Sequence, residues 1–101
     1  MFANNPFLKP HYRSEMGIII EILDATMDGG AHGMIVSAVS RRTNLSHFAM
    51  KEKCQKLMDA GLIESVMRKR NRIIKITEKG MRFFQELQSF LDLIKKMNLR
   101  F

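Results

Sequence analysis

The strongest constraint in this chain is a change of period at Gly61. Before it, apolar residues recur at helical spacing. After it come two short β-prone runs, Leu62 to Met67 and Arg72 to Thr77, rich in isoleucine and valine. Only Arg68-Lys69-Arg70-Asn71 separates them, so the pair predicts a hairpin with a basic tip. At 101 residues the chain has room for one hydrophobic core and not two, so hairpin and helices belong to one unit.

The helices are legible from their stripes and their ends. Ser14 is a predicted N-cap, with Glu15 in the first turn. Met16, Ile19, Ile20, Leu23 and Met27 then form one stripe, and Ile18 and Ile22 widen it toward a second apolar neighbour. Asp28-Gly29-Gly30 is a helix stop. A shorter second helix is expected from about Met34 to Arg41, burying Ile35, Val36 and Val39, with Arg41-Arg42-Thr43-Asn44 as a polar connection. Ser46 caps a third helix, Leu45 and Met50 are placed as a hydrophobic staple, and Met50, Cys54, Leu57 and Met58 form its buried face. Thr77 caps a fourth helix that continues to about Met97. Its Phe84, Leu87, Leu91 and Ile94, at spacings of 3, 4 and 3, make a coiled-coil-like seam broadened by Phe83 and Phe90.

The expected fold is therefore mainly α with a small β-hairpin. The order helix, helix, turn, helix, hairpin is that of a winged helix-turn-helix, here with an extended C-terminal helix suited to dimerisation. Residues 1–12, which hold both prolines, read as an N-terminal arm, 13–77 as the winged-helix DNA-binding domain, and 78–101 as the dimerisation helix.

Charge is distributed unevenly along this frame. The net charge is +7, yet residues 1–40 sum to −2 and residues 76–101 to +2, while residues 41–75 alone carry +7. A basic excess confined to one segment is the electrostatic footprint of a polyanion-binding surface. A third helix laid in the major groove presents its exposed N-terminal residues to base edges. On a helical wheel centred on Met50, Phe48, Glu52 and Gln55 lie opposite the buried face, Lys51 and Lys56 flank them, and His47 falls close to the buried side. The candidate DNA-binding set is Arg41, Arg42, Asn44, Ser46, His47, Phe48, Lys51, Gln55 and Lys56, with Arg68, Lys69, Arg70 and Arg72 of the hairpin on phosphates or in the minor groove. Phe48 is compatible either with a thymine methyl group or with packing under the hairpin. The candidate dimer interface is Phe83, Phe84, Leu87, Phe90, Leu91 and Ile94.

Other classes are disfavoured. The one cysteine, Cys54, forms no internal disulfide, and His11, His32 and His47 are too scattered for a metal site, so no metal and no cofactor are expected. Asp24 with Asp28, and Glu78 with Glu86, lack a convergent His or Ser for acid–base chemistry, and no catalytic residue or enzymatic role is expected. No apolar run approaches the roughly 20 residues that span a bilayer, and the start of the chain does not read as a signal peptide. A cytoplasmic, nucleoid-associated protein without a membrane partner is the expectation. Lys95, Lys96 and Arg100 are too few to make the tail a membrane-binding helix.

Asn44-Leu45-Ser46, the stretch from Leu57 to Gly61-Leu62-Ile63, and Ile76-Thr77-Glu78-Lys79-Gly80 resemble signature stretches of small archaeal-type winged-helix transcription regulators. The MarR- and PadR-like repressors and the Sso10a-like DNA-binding proteins are among them. The resemblance covers about residues 14–95 and implies a homodimer, often joined through the last helix, with the third helix and the wing on double-stranded DNA. The short second helix departs from the MarR pattern, and a small-molecule effector is left open. An architectural chromatin protein and a protein-interaction module are the alternative readings of the same surface.

Overall fold

A computed structural model describes residues 14–98; the N-terminal arm read over residues 1–12 lies outside the described residues. Helix α1 spans Glu15–Asp28. It starts where Ser14 holds an extended backbone and its hydroxyl accepts the Gly17 N–H at 2.9 Å. Ile20, Ile22, Leu23 and Ala25 are all but fully buried, because α1 packs on α2 (Val36–Thr43), on strand β3 (Asn71–Ile76) and on α4 (Glu78–Lys96). The wide stripe read in the sequence thus serves neighbours on more than one side. Thr26 is buried among these residues, and its hydroxyl donates to the Ile22 carbonyl at 2.7 Å.

The second helix begins later than its apolar residues suggest. Met34–Ile35 form a short strand, β1, and α2 runs from Val36 to Thr43. Pairing with β3 is antiparallel, Met34 opposite Ile74 and Ile35 opposite Ile73, and makes a three-stranded sheet of order β1-β3-β2, with β2 spanning Ile63–Arg68. Gly33, at φ +76°, delivers the chain to that edge, where a Cβ would lie 2.7 Å from both the Ile73 Cγ2 and the Ile74 carbonyl oxygen. Ile35 is consequently exposed on the far face of the sheet rather than buried in a helix. Val39 is buried as the periodicity requires. The helix also ends later, with Asn44 as its C-cap, and the Thr43 hydroxyl donates to the Val39 carbonyl at 2.7 Å inside the last turn. Arg41 and Arg42 therefore stand on α2 and not in a loop.

Three residues, Asn44 to Ser46, connect α2 to α3, which spans His47–Asp59. Each has one job. Asn44 takes the left-handed conformation (φ 56°) that terminates α2, Leu45 is half-buried against the core, and the Ser46 hydroxyl accepts the Ala49 N–H. Met50, Cys54 and Leu57 fill the core beneath α3. Burial pushes the Cys54 thiol up to about 11, so it sits there as a small apolar group.

The sequence stretches around Gly61 and Thr77 are one structural lock. The Thr77 hydroxyl donates to the Gly61 carbonyl at 2.6 Å and accepts the Gly80 N–H at 2.9 Å, while the Thr77 N–H donates to the Leu62 carbonyl at 3.0 Å. The Lys79 ammonium donates to the Ala60 carbonyl at 2.9 Å. The end of α3 is thereby fixed to the start of α4 across the base of the β2–β3 hairpin. Phe84, expected at a dimer seam, is instead only 5% exposed and belongs to the core, because the first half of α4 lies against the body of the domain. Phe83, Leu87 and Leu91 are half-buried against the same core.

Candidate nucleic-acid interface

Besides Arg41 and Arg42, exposed on α2, two elements carry the exposed part of the basic segment. The first is α3. His47, Phe48, Lys51, Glu52, Gln55 and Lys56 are exposed along it, and Asn44 and Ser46 are exposed in the turn that leads to it. His47, read from the wheel as near the buried side, is exposed because it is the first helical residue and the core falls away there. The first turn holds no carboxylate, unlike those of α1 and α4, so the positive end of the helix dipole is left uncompensated. Phe48 does not pack under the hairpin. It is 75% exposed.

The second element is the hairpin tip. Strands β2 and β3 pair from Ile63 opposite Ile76 out to Arg68 opposite Asn71, so the loop is Lys69-Arg70 alone. Both residues have positive φ, 49° and 70°, the geometry of a tight turn in which Asn-Gly is the relaxed choice. Two cationic residues hold conformations that L-residues resist, and both are exposed, with Arg68 exposed beside them. Arg72 is exposed on β3 and donates to the Ser65 hydroxyl at 2.8 Å.

Not every cation of the segment belongs to this surface. Arg42 reaches back to Asp28 at 2.5 Å and Asp24 at 3.7 Å on α1. Lys53 and Lys56 both donate to Glu15 at the other end of α1, the first at 2.9 Å. Those two bonds, Lys56's first, hold the Glu15 carboxyl down to about 2, and the Glu15 partner raises Lys53 above its ordinary value. Gln55 donates its amide to Asp59 at 2.8 Å, on its own helix. The acidic residues of α1 thus neutralise part of the basic segment, a role the sequence did not signal because each pair joins different helices, those of Glu15 across about forty positions. Of the exposed cations in the basic segment, Arg41, Lys51, Arg68, Lys69, Arg70 and Arg72 have no carboxylate partner among the described residues.

No three His, Cys, Asp or Glu residues are gathered to hold a metal ion among the described residues, and no described helix is long and apolar enough to cross a membrane.

Three helices with a turn between the last two, followed by a basic two-stranded wing on a small sheet, define a winged helix-turn-helix protein. The winged helix-turn-helix family model matches residues 12–95, and the chain belongs to that family. No curated protein sequence matches it. Among solved structures, Sso10a-2, a DNA-binding protein from Sulfolobus solfataricus, superposes with a TM-score of 0.70 at 17% identity, over 85% of this chain and 86% of that one. The homodimeric winged helix-turn-helix DNA-binding domain of Mb0332 from Mycobacterium bovis, a possible ArsR-family transcriptional regulator, gives 0.67 at 25% identity, over 75% of this chain and 68% of that fragment. The transcriptional regulator BldR from Sulfolobus solfataricus gives 0.69 at 23% identity, over 79% of this chain and 58% of its own.

Proposed function

We propose that the chain is a sequence-specific, double-stranded-DNA-binding transcription regulator that acts in the cytoplasm as a homodimer. Residues 13–77 form the duplex-binding unit, and the C-terminal segment 78–101, which holds α4, is the pairing element. Helix α3 enters the major groove, with His47, Phe48 and Lys51 at base edges. Arg41 and the wing residues Arg68, Lys69, Arg70 and Arg72 lie on phosphates or in the adjacent minor groove. One observation carries this reading: Lys51 on α3 and Arg68, Lys69 and Arg70 at the wing, the two elements that a winged helix offers to a duplex, are exposed cations with no carboxylate partner among the described residues, and the wing tip holds two of them in a strained turn. The DNA-binding and regulator descriptions of the superposed proteins support it. Pairing through the distal half of α4 is supported by Phe90, Leu93 and Met97, each more than half exposed at spacings of 3 and 4.

One observation favours a second reading, an architectural protein without base readout. Gln55 and Lys56 are engaged by Asp59 and Glu15, which leaves few side chains to read bases. Selection of bound sequences from a random duplex pool separates the two. A regulator enriches a palindrome with half-sites about 34 Å apart, whereas an architectural protein enriches nothing and binds with a steep salt dependence. Arg68→Glu with Arg70→Glu should abolish binding in either case. A duplex affinity that survives this charge reversal would leave the wing as a protein-docking element.

A further inference from the structure

We infer that Phe48 is a pyrimidine-methyl reader, giving the chain a preference for A·T pairs that it takes from the thymine 5-methyl group. The inference rests on the duplex-binding reading above. Phe48 is the most exposed of the large apolar side chains among the described residues, at 75%, although it stands on a helix whose Met50, Cys54 and Leu57 are buried. Its place is the first turn of α3, directly after the Ser46 cap, where the exposed neighbours one turn on are Lys51 and Glu52. Leaving a phenylalanine in water forgoes a large burial energy, which covering it on binding would recover.

The surroundings narrow what covers it. Lys51, one turn on along α3, is an exposed cation with the exposed carboxylate of Glu52 beside it, and the segment 41–75 that holds both sums to +7, so its cations outnumber its carboxylates. A polyanion suits them. Within the major groove of a duplex, where a helix of this kind fits, the apolar group offered at the base edges is the methyl at C5 of thymine. An insertion between base steps is the habit of minor-groove wedges, which are carried on other geometry.

The test compares wild-type chain, Phe48→Ala and Phe48→Leu on a short duplex of alternating A·T pairs and on the same duplex with deoxyuridine in every thymidine position. Fluorescence anisotropy at one fixed low salt concentration reads the affinities, and circular dichroism melts establish that each variant folds. Wild type should prefer the thymidine duplex by about fourfold for each methyl it covers, the factor that one apolar carbon removed from water is worth. Phe48→Ala should lose that preference by weakening only on thymidine, and Phe48→Leu should keep most of it. Equal weakening on both duplexes would overturn the inference in favour of stacking, and no weakening at all would leave Phe48 for a protein partner. Wild type that binds neither duplex would instead overturn the duplex-binding reading, and this inference with it.

Discussion

The ammonium of Lys53, on the inner flank of α3, lies 2.9 Å from Oε2 of Glu15 in the first turn of α1. Lys56 donates to the same oxygen, so a single carboxylate ties two cations of α3 to the start of the chain's first described helix. The pair of bonds depresses the Glu15 carboxyl from 4.5 to about 2 in the folded protein. A depressed carboxyl stabilises the fold at pH values above its unfolded pKa, and that contribution fades as pH falls from about 4.5 toward 2. Glu15→Gln should therefore melt at a lower temperature than wild type near neutral pH and at the same temperature near pH 2. Because Glu15 is on the surface, the difference is modest. Thermal melts across this range check it; a difference that does not change with pH would assign the effect to packing and not to charge.

The same substitution should change duplex binding in the opposite sense. Glu15 competes with phosphate for Lys56, whose side chain is 57% exposed and so within reach of a ligand. Freeing it adds about one phosphate contact, which steepens the plot of log affinity against log salt by about 0.9. Anisotropy titrations at several salt concentrations measure that slope. An unchanged slope would place Lys56 away from the DNA.

The wing tip trades relaxed geometry for charge. Lys69 and Arg70 hold positive φ with full side chains, at a cost of roughly 1 kcal/mol or more each. Lys69→Asn with Arg70→Gly installs the pair that this turn prefers and should raise the melting temperature, by about 4–8 °C for each 1 kcal/mol of strain relieved in a domain of this size. Duplex affinity should fall, with the salt slope shallower by about two phosphates. A more stable variant that binds DNA as well as wild type would remove the tip from the interface.

The local chemistry of the fold was open to reading from the residues. Ser14, Ser46 and Thr77 each cap the helix that follows, because a cap is a bond between a side chain and an N–H three residues away. Strand β1 was not, since two residues show no period and Met34–Ile35 are strand only through pairing with Ile74 and Ile73, far along the chain. The division of cations into paired and exposed was hidden for the same reason. Lys56 and Lys51 look alike in sequence, and only the position of α1 makes one of them a partner of Glu15. Phe84 shows a third limit: a stripe of apolar residues on α4 reveals that they are buried, and not whether the partner is the domain's own core or another copy.

Gly80 marks where the lock between α3 and α4 is tightest. A Cβ there would lie 2.0 Å from the Leu62 carbonyl oxygen and 2.7 Å from Ile76 Cγ1, so α4 could not keep its present distance from the sheet. Gly80→Ala should destabilise the domain by about 3 kcal/mol, despite alanine's better helix propensity, and lower its melting temperature by roughly 10–20 °C. A denaturant titration gives the free energy directly. A neutral or stabilising result would show that α4 shifts readily along the sheet and that the Thr77 hydrogen bonds do not fix it.

Leu93 separates the two ways of burying α4. Toward the N-terminal half, Phe84 is in the core and Phe83, Leu87 and Leu91 rest against it, but Leu93 and Met97 remain 54% and 58% exposed one turn apart. If the chain works as a monomer, glutamate at position 93 touches nothing and changes neither stability nor association. If two chains pair through this stretch, a two-fold axis brings each Leu93 into the shared interface, and the substitution strips apolar area from both copies while adding charge to each. Leu93→Glu is then expected to weaken the dimer by about 1000-fold, from roughly 2 kcal/mol of lost burial in each protomer, while a dilute sample keeps its helical circular dichroism spectrum. Sedimentation equilibrium on wild type and variant decides between them. Because half-site spacing depends on pairing, the same variant should bind a palindrome no more tightly than a single half-site, which connects the apolar end of α4 to the DNA that the basic face of α3 would read.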